Sequence, residues 1–124
     1  MGKKVLLDTS FILMAIRENI DFIEDIKFLG LTILIPTQVI EELKAIAKSN
    51  QKLKFRDEAA LALRIVDIPS LSKVVLKNKN VDSGIALFAK ENKEAIIATM
   101  DKELKSRIKN QKLVVRAKKK LEIL

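Results

Sequence analysis

Residues 5–13 read VLLDTSFIL, an apolar run that ends on Asp8 and resumes after two hydroxyl-bearing residues. The apolar residues before Asp8 predict a buried strand, and those after it predict a helix. Asp, Thr and Ser all favour helix starts, because their oxygens accept hydrogen bonds from the free amides of a first turn. Two roles for Asp8 follow. It starts the helix, or its carboxylate faces an active site. We expect Asp8 to do both, with its backbone at the helix start and its carboxylate facing the site, while Thr9 or Ser10 can supply the capping oxygen.

The rest of the chain repeats this alternation of strands and helices. Strands are predicted at 3–7, 31–35, 73–76, 95–99 and 113–116. Helices are predicted over 10–17, 20–28, 38–48 with Thr37 as its cap, 54–67, 82–91 and 101–109. Continuous apolar strands between helices are typical of a parallel sheet covered on both faces. We therefore expect one domain, residues 1–124, with a three-layer α/β/α fold around a parallel sheet of four to five short strands.

Composition restricts the chemistry that the protein can perform. The chain is 48% hydrophobic and 32% charged, which is typical of a globular domain. It has no cysteine and no histidine, which excludes thiol and imidazole catalysis and ordinary zinc sites. No apolar run has the length of a membrane span and no signal peptide is recognisable, so we expect a cytoplasmic protein without a membrane partner.

Four acids are expected at one edge of the predicted sheet. Ligands of such sheets bind beyond the carboxyl ends of the strands, where Asp8 and Asp101 lie. Helix phase places Glu42, rather than Glu41, on the flank of an apolar stripe, and it places Asp82 on a buried side. Each acid alone could be a helix cap or a solvated residue. Together they would repel one another unless a cation neutralises them, and an all-carboxylate site suits Mg²⁺ or Mn²⁺.

At these residues the chain resembles the PIN domain family, which includes VapC-type toxin ribonucleases and nucleases that process ribosomal RNA. The motifs that carry the resemblance are LLDTSFIL, VIEEL, VDSGIALFA and IATMDKELKSRI, in this order between about residues 4 and 116. The resemblance implies a catalytic acidic site of Asp8, Glu42, Asp82 and Asp101. It implies metal ligation by Asp8, Asp82 and Asp101, with Ser10 and Thr99 as supporting hydroxyl groups.

The expected reaction needs no histidine. A metal held by carboxylates can activate water for in-line attack on an RNA phosphodiester, leaving a 5′-phosphate and a 3′-hydroxyl. The C-terminal fifth supplies cations for the substrate, since residues 102–120 contain nine Lys or Arg residues and one acid and so hold the whole net charge of +8. Four of these cations directly follow Asp101 and are expected to bind RNA phosphates: Lys102, Lys105, Arg107 and Lys109.

Other interpretations of the sequence remain open. A non-catalytic PIN-like module could bind RNA or protein, Asp8 could form an aspartyl-phosphate in a phosphotransfer domain, and DNA could be the substrate. Apolar residues are distributed around the whole circumference of the predicted helix at 53–66. Either a homodimer or an antitoxin-like peptide covers this surface, or the helix is fully buried within the monomer. The family resemblance fits both a toxin–antitoxin pair and a ribosome-assembly partner.

Overall fold

The structure of the protein is a computed structural model that describes residues 2–117 and 119–124. Every strand and helix predicted from the sequence is present, with ends shifted by one or two residues. The order is β1 (Lys4–Leu7), α1 (Thr9–Arg17), α2 (Phe22–Phe28), β2 (Thr32–Pro36), α3 (Thr37–Ala47), α4 (Leu53–Val66), β3 (Ser72–Val74), α5 (Val81–Glu91), β4 (Ile96–Ala98), α6 (Lys102–Arg107), β5 (Lys112–Arg116) and β6 (Lys120–Ile123).

The strands form one sheet with the order β3-β2-β1-β4-β5-β6. The first five strands are parallel, as predicted, and Leu7 of β1 lies opposite Ala98 of β4. The expectation that the chain ends after a fifth strand is wrong. Strand β6 pairs antiparallel with β5, with Leu113 opposite Ile123, so the sheet has six strands and one antiparallel edge.

The two faces of the sheet are covered by different helices, which gives the three layers that the sequence predicts. Val5 and Leu7 of β1 belong to a hydrophobic cluster with buried residues of α1, α2, α3 and α4. Leu6, between them, belongs to a second cluster with Ile85 of α5 and Leu104 of α6. Successive side chains of a strand point to opposite faces, so each central strand contributes to both clusters.

Two expected helix caps are wrong. Helix α3 starts after Pro36 without a side-chain cap, and Thr37 is its first helical residue, with a hydroxyl that donates to Gln38 Oε1 at 3.1 Å. At α1, Asp8 itself is the capping residue, because its Oδ1 accepts from Thr9 N at 2.9 Å. Neither Thr9 nor Ser10 caps this helix, since Thr9 Oγ1 contacts Glu42 and Ser10 Oγ accepts from Met100 N.

Helix α4 is only partly buried by the rest of the chain. Ala59, Ala62 and Val66 are buried, whereas Leu53 is 61% exposed and Leu61 is 45% exposed. Full burial of this helix, one of the two sequence-based alternatives, is therefore wrong. Among the described residues, no helix combines the length and the apolar character that crossing a membrane requires.

Candidate active site

The candidate site lies at the carboxyl ends of β1 and β4, the two strands at the centre of the sheet. Strand β1 continues to β2 on one side and pairs with β4 on the other, so the direction of the connections reverses here. Such a switch point opens a crevice beyond the strand ends. Asp8 directly follows β1, and its amide donates to Ala98 O of β4 at 2.9 Å. The backbone therefore holds Asp8 at the crevice, as predicted.

The carboxylate of Asp8 is the most enclosed acidic group of the site, with the residue only 4% exposed. Its Oδ1 accepts from Thr9 N at 2.9 Å. Its Oδ2 accepts from Ser10 Oγ at 2.9 Å and from Thr99 Oγ1 at 2.8 Å. These three donors fix the side chain in one orientation. The two supporting hydroxyl groups expected from the sequence thus lie in direct contact with the first acid.

Two backbone amides determine the direction of these hydroxyl hydrogen bonds. Met100 N donates to Ser10 Oγ at 3.0 Å, and Asp101 N donates to Thr99 Oγ1 at 3.1 Å. Each hydroxyl has a single proton, and both protons are required for the bonds to Asp8 Oδ2. The 3.2 Å contact between the two hydroxyl oxygens is then a close approach without a shared proton. Asp8 Oδ2 thus accepts from both hydroxyl groups, and each of these accepts from a backbone amide.

Burial raises the pKa of the Asp8 carboxyl above its ordinary value, because removal from water disfavours the charged form. Hydrogen bonds from Thr99, Ser10 and Thr9 N act in the opposite direction and lower this pKa. The negative charge of Asp82 raises it further. The site thus combines a buried carboxylate, three donors that orient it and a second acid close enough to repel it.

Asp101 is joined to Asp8 through Thr99, whose hydroxyl contacts both residues. Its own Oδ1 accepts from Leu104 N at 3.1 Å, which makes Asp101 the N-cap of α6. The capping interpretation is therefore correct for this residue, and it uses one of the two carboxylate oxygens. No other side-chain hydrogen bond of Asp101 is found within the described part of the chain, so Oδ2 is available to a ligand.

Glu42 is connected to Asp8 through Thr9. Thr9 is buried, and its Oγ1 forms a hydrogen bond with Glu42 Oε1. Since Thr9 N binds Asp8 Oδ1, one residue contacts both acids. Sequence reasoning considered Thr9 as a cap and missed this contact, which spans 33 residues. No local pattern signals such a pair, because it depends on how α1 and α3 pack.

Asp82 lies in the first turn of α5, where its charge favours the helix start. The cap of α5 is Asn80, whose side chain accepts from Ser83 N at 2.9 Å. Among the described contacts Asp82 has no hydrogen bond of its own, so its only structural contribution is this interaction with the helix start. Its negative charge raises the pKa of the Asp8 carboxyl.

The four acids do not form one compact ligand cage in the described part of the chain. Three of them, Asp8, Asp101 and Glu42, are linked through hydrogen bonds of Thr9 and Thr99. In residues 2–117 and 119–124, no three carboxylates are grouped tightly enough to hold one ion by themselves. Mg²⁺ usually keeps several waters and binds one or two carboxylates together with substrate phosphates. The all-oxygen donor set at Asp8 and Asp82 fits that mode of binding.

The structure separates the four cations expected to bind RNA into two sets. Arg107 and Lys109 line a groove beside α5, and Arg107 Nη2 donates to Ser83 Oγ at 3.3 Å. Lys102 and Lys105 are not among the residues that line this groove. Of the nine C-terminal cations, Lys118 lies outside the described residues.

Comparison with known proteins gives one family. The model of the PIN-like domain family matches residues 5–120. A curated protein of Methanocaldococcus jannaschii, Ribonuclease VapC4, is 33% identical to this chain over 126 residues, which cover 97% of this chain and 95% of the relative.

Solved structures agree with this match. The PIN domain endonuclease Utp24 superposes with a TM-score of 0.77 at 26% identity and covers 97% of this chain and 90% of its own. A domain of a functionally unknown protein from Methanocaldococcus jannaschii superposes with a TM-score of 0.64 at 21% identity and covers 99% of both chains, which supports the fold alone.

Proposed function

The chain belongs to the family of PIN-like domains, and we propose that it is a metal-dependent endoribonuclease that hydrolyses RNA phosphodiester bonds in the crevice beside Asp8. The observation that carries this proposal is the environment of Asp8. A carboxylate that is 4% exposed, oriented by three donors and repelled by Asp82 is costly in an empty crevice. A bound cation would remove that cost. The similarity to Ribonuclease VapC4 and to an endonuclease supports RNA cleavage as the activity.

Mg²⁺ or Mn²⁺ is the proposed cofactor, because the site offers carboxylates and hydroxyl groups and no softer ligand. Asp8 and Asp82 are the proposed direct ligands, and Asp101 contributes its free oxygen directly or through water. A divalent ion bound here would acidify a water molecule and stabilise charge on the phosphate and on the leaving oxygen. Metal removal is therefore expected to abolish cleavage.

The protein groups around the ion have separate proposed roles. Ser10 and Thr99 hold Asp8 in one orientation, and Thr99 also holds the amide of Asp101. Glu42, whose side chain contacts Thr9, is the proposed ligand of a water or a second ion. Such fixed groups lose little further freedom when the reaction occurs.

Cations near the crevice would neutralise the flanking phosphates of the substrate. Lys102, Lys105, Arg107 and Lys109 follow Asp101 in the chain, and all four are proposed RNA contacts. Phosphate contacts of this kind give affinity without base specificity and weaken as salt concentration rises. RNA shape or a partner protein would then select the cleavage position.

The biological context is proposed from the relatives. The similarity to Ribonuclease VapC4 favours a toxin whose activity an antitoxin controls, and the similarity to Utp24 also fits an RNA-processing role beside a ribosome-assembly partner. The exposed side of α4, which includes Leu53, Phe55 and Leu61, is a surface that a homodimer or an antitoxin peptide could cover.

Cleavage of a mixed structured RNA tests the proposal. The wild-type chain and the Asp82→Asn variant are compared in Mn²⁺ or Mg²⁺ and in EDTA, with analysis of the product ends. Asp82→Asn is the sharper variant, because Asp82 has no structural hydrogen bond among the described residues, whereas Asp8 has three. We expect the wild-type chain to cleave RNA only when Mn²⁺ or Mg²⁺ is present and to leave 5′-phosphates. The Asp82→Asn variant should not cleave.

Two outcomes would overturn the nuclease proposal. A 2′,3′-cyclic phosphate product, formed also in EDTA, would mean that the ribose hydroxyl attacked without a metal. RNA binding without cleavage, equal in the wild-type chain and the variant, would favour a non-catalytic binding module.

A further inference from the structure

A second feature of the surface is a groove between α5 and the segment that leaves α6. Its volume is about 670 Å³. The groove is lined by Ser83, Ala86, Leu87, Ala89, Lys90, Lys93, Arg107, Ile108, Lys109 and Asn110. Small apolar side chains of α5 form much of its wall, and charged side chains stand at its rim.

The charge of this groove has a single sign. Four cations line it, namely Lys90, Lys93, Arg107 and Lys109, and no carboxylate does. None of the four forms an ion pair with an acid of the described residues. A groove on the other side of α5 differs, because Lys77 there is paired with Glu91 at 3.2 Å. Unpaired cations in a concave surface concentrate positive potential, which attracts polyanions.

The frame of the groove is held by buried polar contacts. Asn110 is 8% exposed, and its Nδ2 donates to Asn92 O at 3.0 Å and to Ala95 O at 2.8 Å. These bonds fix the segment after α6 to the end of α5 and to the start of β4. Ile108 is buried in the same cluster as Ala89, which closes the floor. The groove therefore lies between two segments, α5 and the residues after α6, that are packed and hydrogen-bonded in a fixed arrangement.

The groove also has a defined position relative to the acidic site. One end of the groove is at Ser83, the residue after Asp82 near the start of α5. Arg107 contacts Ser83 at this end. From Ser83 to Lys90 the axis of α5 rises by about 10 Å, at about 1.5 Å per residue. A strand that passes beside Asp82 can thus continue along α5 towards Lys90 and Lys93.

We propose that this groove binds the backbone phosphates of the RNA strand that extends from the carboxylate site. Lys90 and Lys93, which lie outside the cation-rich C-terminal stretch, join Arg107 and Lys109 as phosphate contacts. The apolar wall offers no aromatic stacking platform, so the groove binds any base sequence. The inference rests on the proposed ribonuclease function, since it takes RNA as the ligand.

The test measures RNA binding by the full chain in EDTA, where no metal-dependent cleavage occurs. The probe is a labelled single-stranded RNA of about 20 nucleotides, titrated at several KCl concentrations. The Lys90→Ala/Lys93→Ala variant removes two cations of the groove. The matched control, Lys48→Ala/Lys52→Ala, removes two exposed cations beside α3 and α4, on the opposite face of the sheet.

We expect the groove variant to bind more weakly and with a flatter salt dependence. Each phosphate contact on a single strand contributes about 0.7 to the slope of log affinity against log salt, so two contacts account for about 1.4. The control changes the net charge equally and should leave the slope unaltered.

If the two double variants show equal slopes of log affinity against log salt, RNA does not bind in the groove. In that case the nuclease proposal still stands if metal-dependent cleavage persists in the wild-type chain and disappears in Asp82→Asn. A wild-type chain that neither binds nor cleaves RNA at low salt would overturn both.

Discussion

Thr99 Oγ1 lies 2.8 Å from Asp8 Oδ2 and joins the ends of β1 and β4, the two central strands. The same hydroxyl accepts from Asp101 N at 3.1 Å, so one fully buried side chain determines the placement of two acids. Thr99 thus holds the carboxylate of Asp8 and the backbone of Asp101. The rigidity of the site therefore depends on a residue that carries no charge.

Replacement of Thr99 by valine keeps the shape and removes the hydroxyl. Asp8 Oδ2 would lose a donor and Asp101 N an acceptor, so we expect the free energy of unfolding to fall by about 1–3 kcal/mol. Urea titration measures this change, and RNA cleavage should fall with it. Thr99→Ser is the control, because it keeps the hydroxyl and loses one methyl group, which costs about 0.8 kcal/mol. Equal cleavage by the two variants would contradict this role.

Thr9 should act on cleavage through Glu42. Its hydroxyl binds the Glu42 carboxylate, so Thr9→Val should lower the cleavage rate to about the level of Glu42→Gln. The double variant should be no slower than either single variant, because the two residues act as one unit. Thr9→Ser should retain the wild-type rate. Additive losses in the double variant would show that the residues act independently.

Asp82 should matter for chemistry and little for stability. Asp82→Asn gives up a favourable interaction with the helix start, worth about 0.3–1 kcal/mol, and also removes repulsion with Asp8. We expect the free energy of unfolding to change by less than about 1 kcal/mol. Cleavage should fall by roughly 100-fold or more, because loss of a metal ligand removes several kcal/mol of transition-state stabilisation. A large loss of stability would instead assign Asp82 a structural role.

The ion pair between Arg17 and Glu58 should make stability depend on pH. Hydrogen bonds from Arg17 lower the pKa of Glu58, so its contribution is complete above the ordinary glutamate pKa of about 4.3. The contribution is lost as pH falls through the lower pKa of the folded state. Arg17 is 37% exposed and screened by water, so we expect about 0.5 kcal/mol.

Denaturant unfolding of Glu58→Gln at two pH values measures this effect. The wild-type chain should be more stable at pH 7, and the difference should shrink as pH falls through the lowered pKa of Glu58 in the folded state. Glu41→Gln is the matched control, since Glu41 is 72% exposed and 3.6 Å from Lys44. A difference that stays constant with pH would exclude the ion pair as its cause.

The parallel core could be predicted from the sequence because its strands are continuous apolar runs. Strand β6 could not, because Lys119 and Lys120 made the end of the chain resemble a solvated charged tail. Its pattern is that of a half-exposed edge strand, where Leu121 is partly buried and Ile123 is 37% exposed. Pairing with β5, rather than local composition, makes this segment a strand.

The acids of the site were predictable by position, whereas their connections were not. Helix phase and strand ends indicated Glu42 and Asp101 because these patterns are local. The bonds of Thr9 to Glu42 and of Thr99 to Asp8 span 33 and 91 residues, and no local pattern contains them. The groove could not be predicted from local patterns either, because Lys90 and Lys109 line the same groove only once α5 and α6 have packed.

The sheet order has a consequence for the timing of synthesis. Strand β1 is translated before the other strands, yet one of its two neighbours in the sheet, β4, is translated only after β2 and β3. Thr99 follows Asp8 by 91 residues, which is a delay of roughly 5–18 s at about 5–20 residues per second. Until then Asp8 lacks the partner that orients it. A nascent chain therefore cannot assemble the complete site until the segment that contains Thr99 has been synthesised.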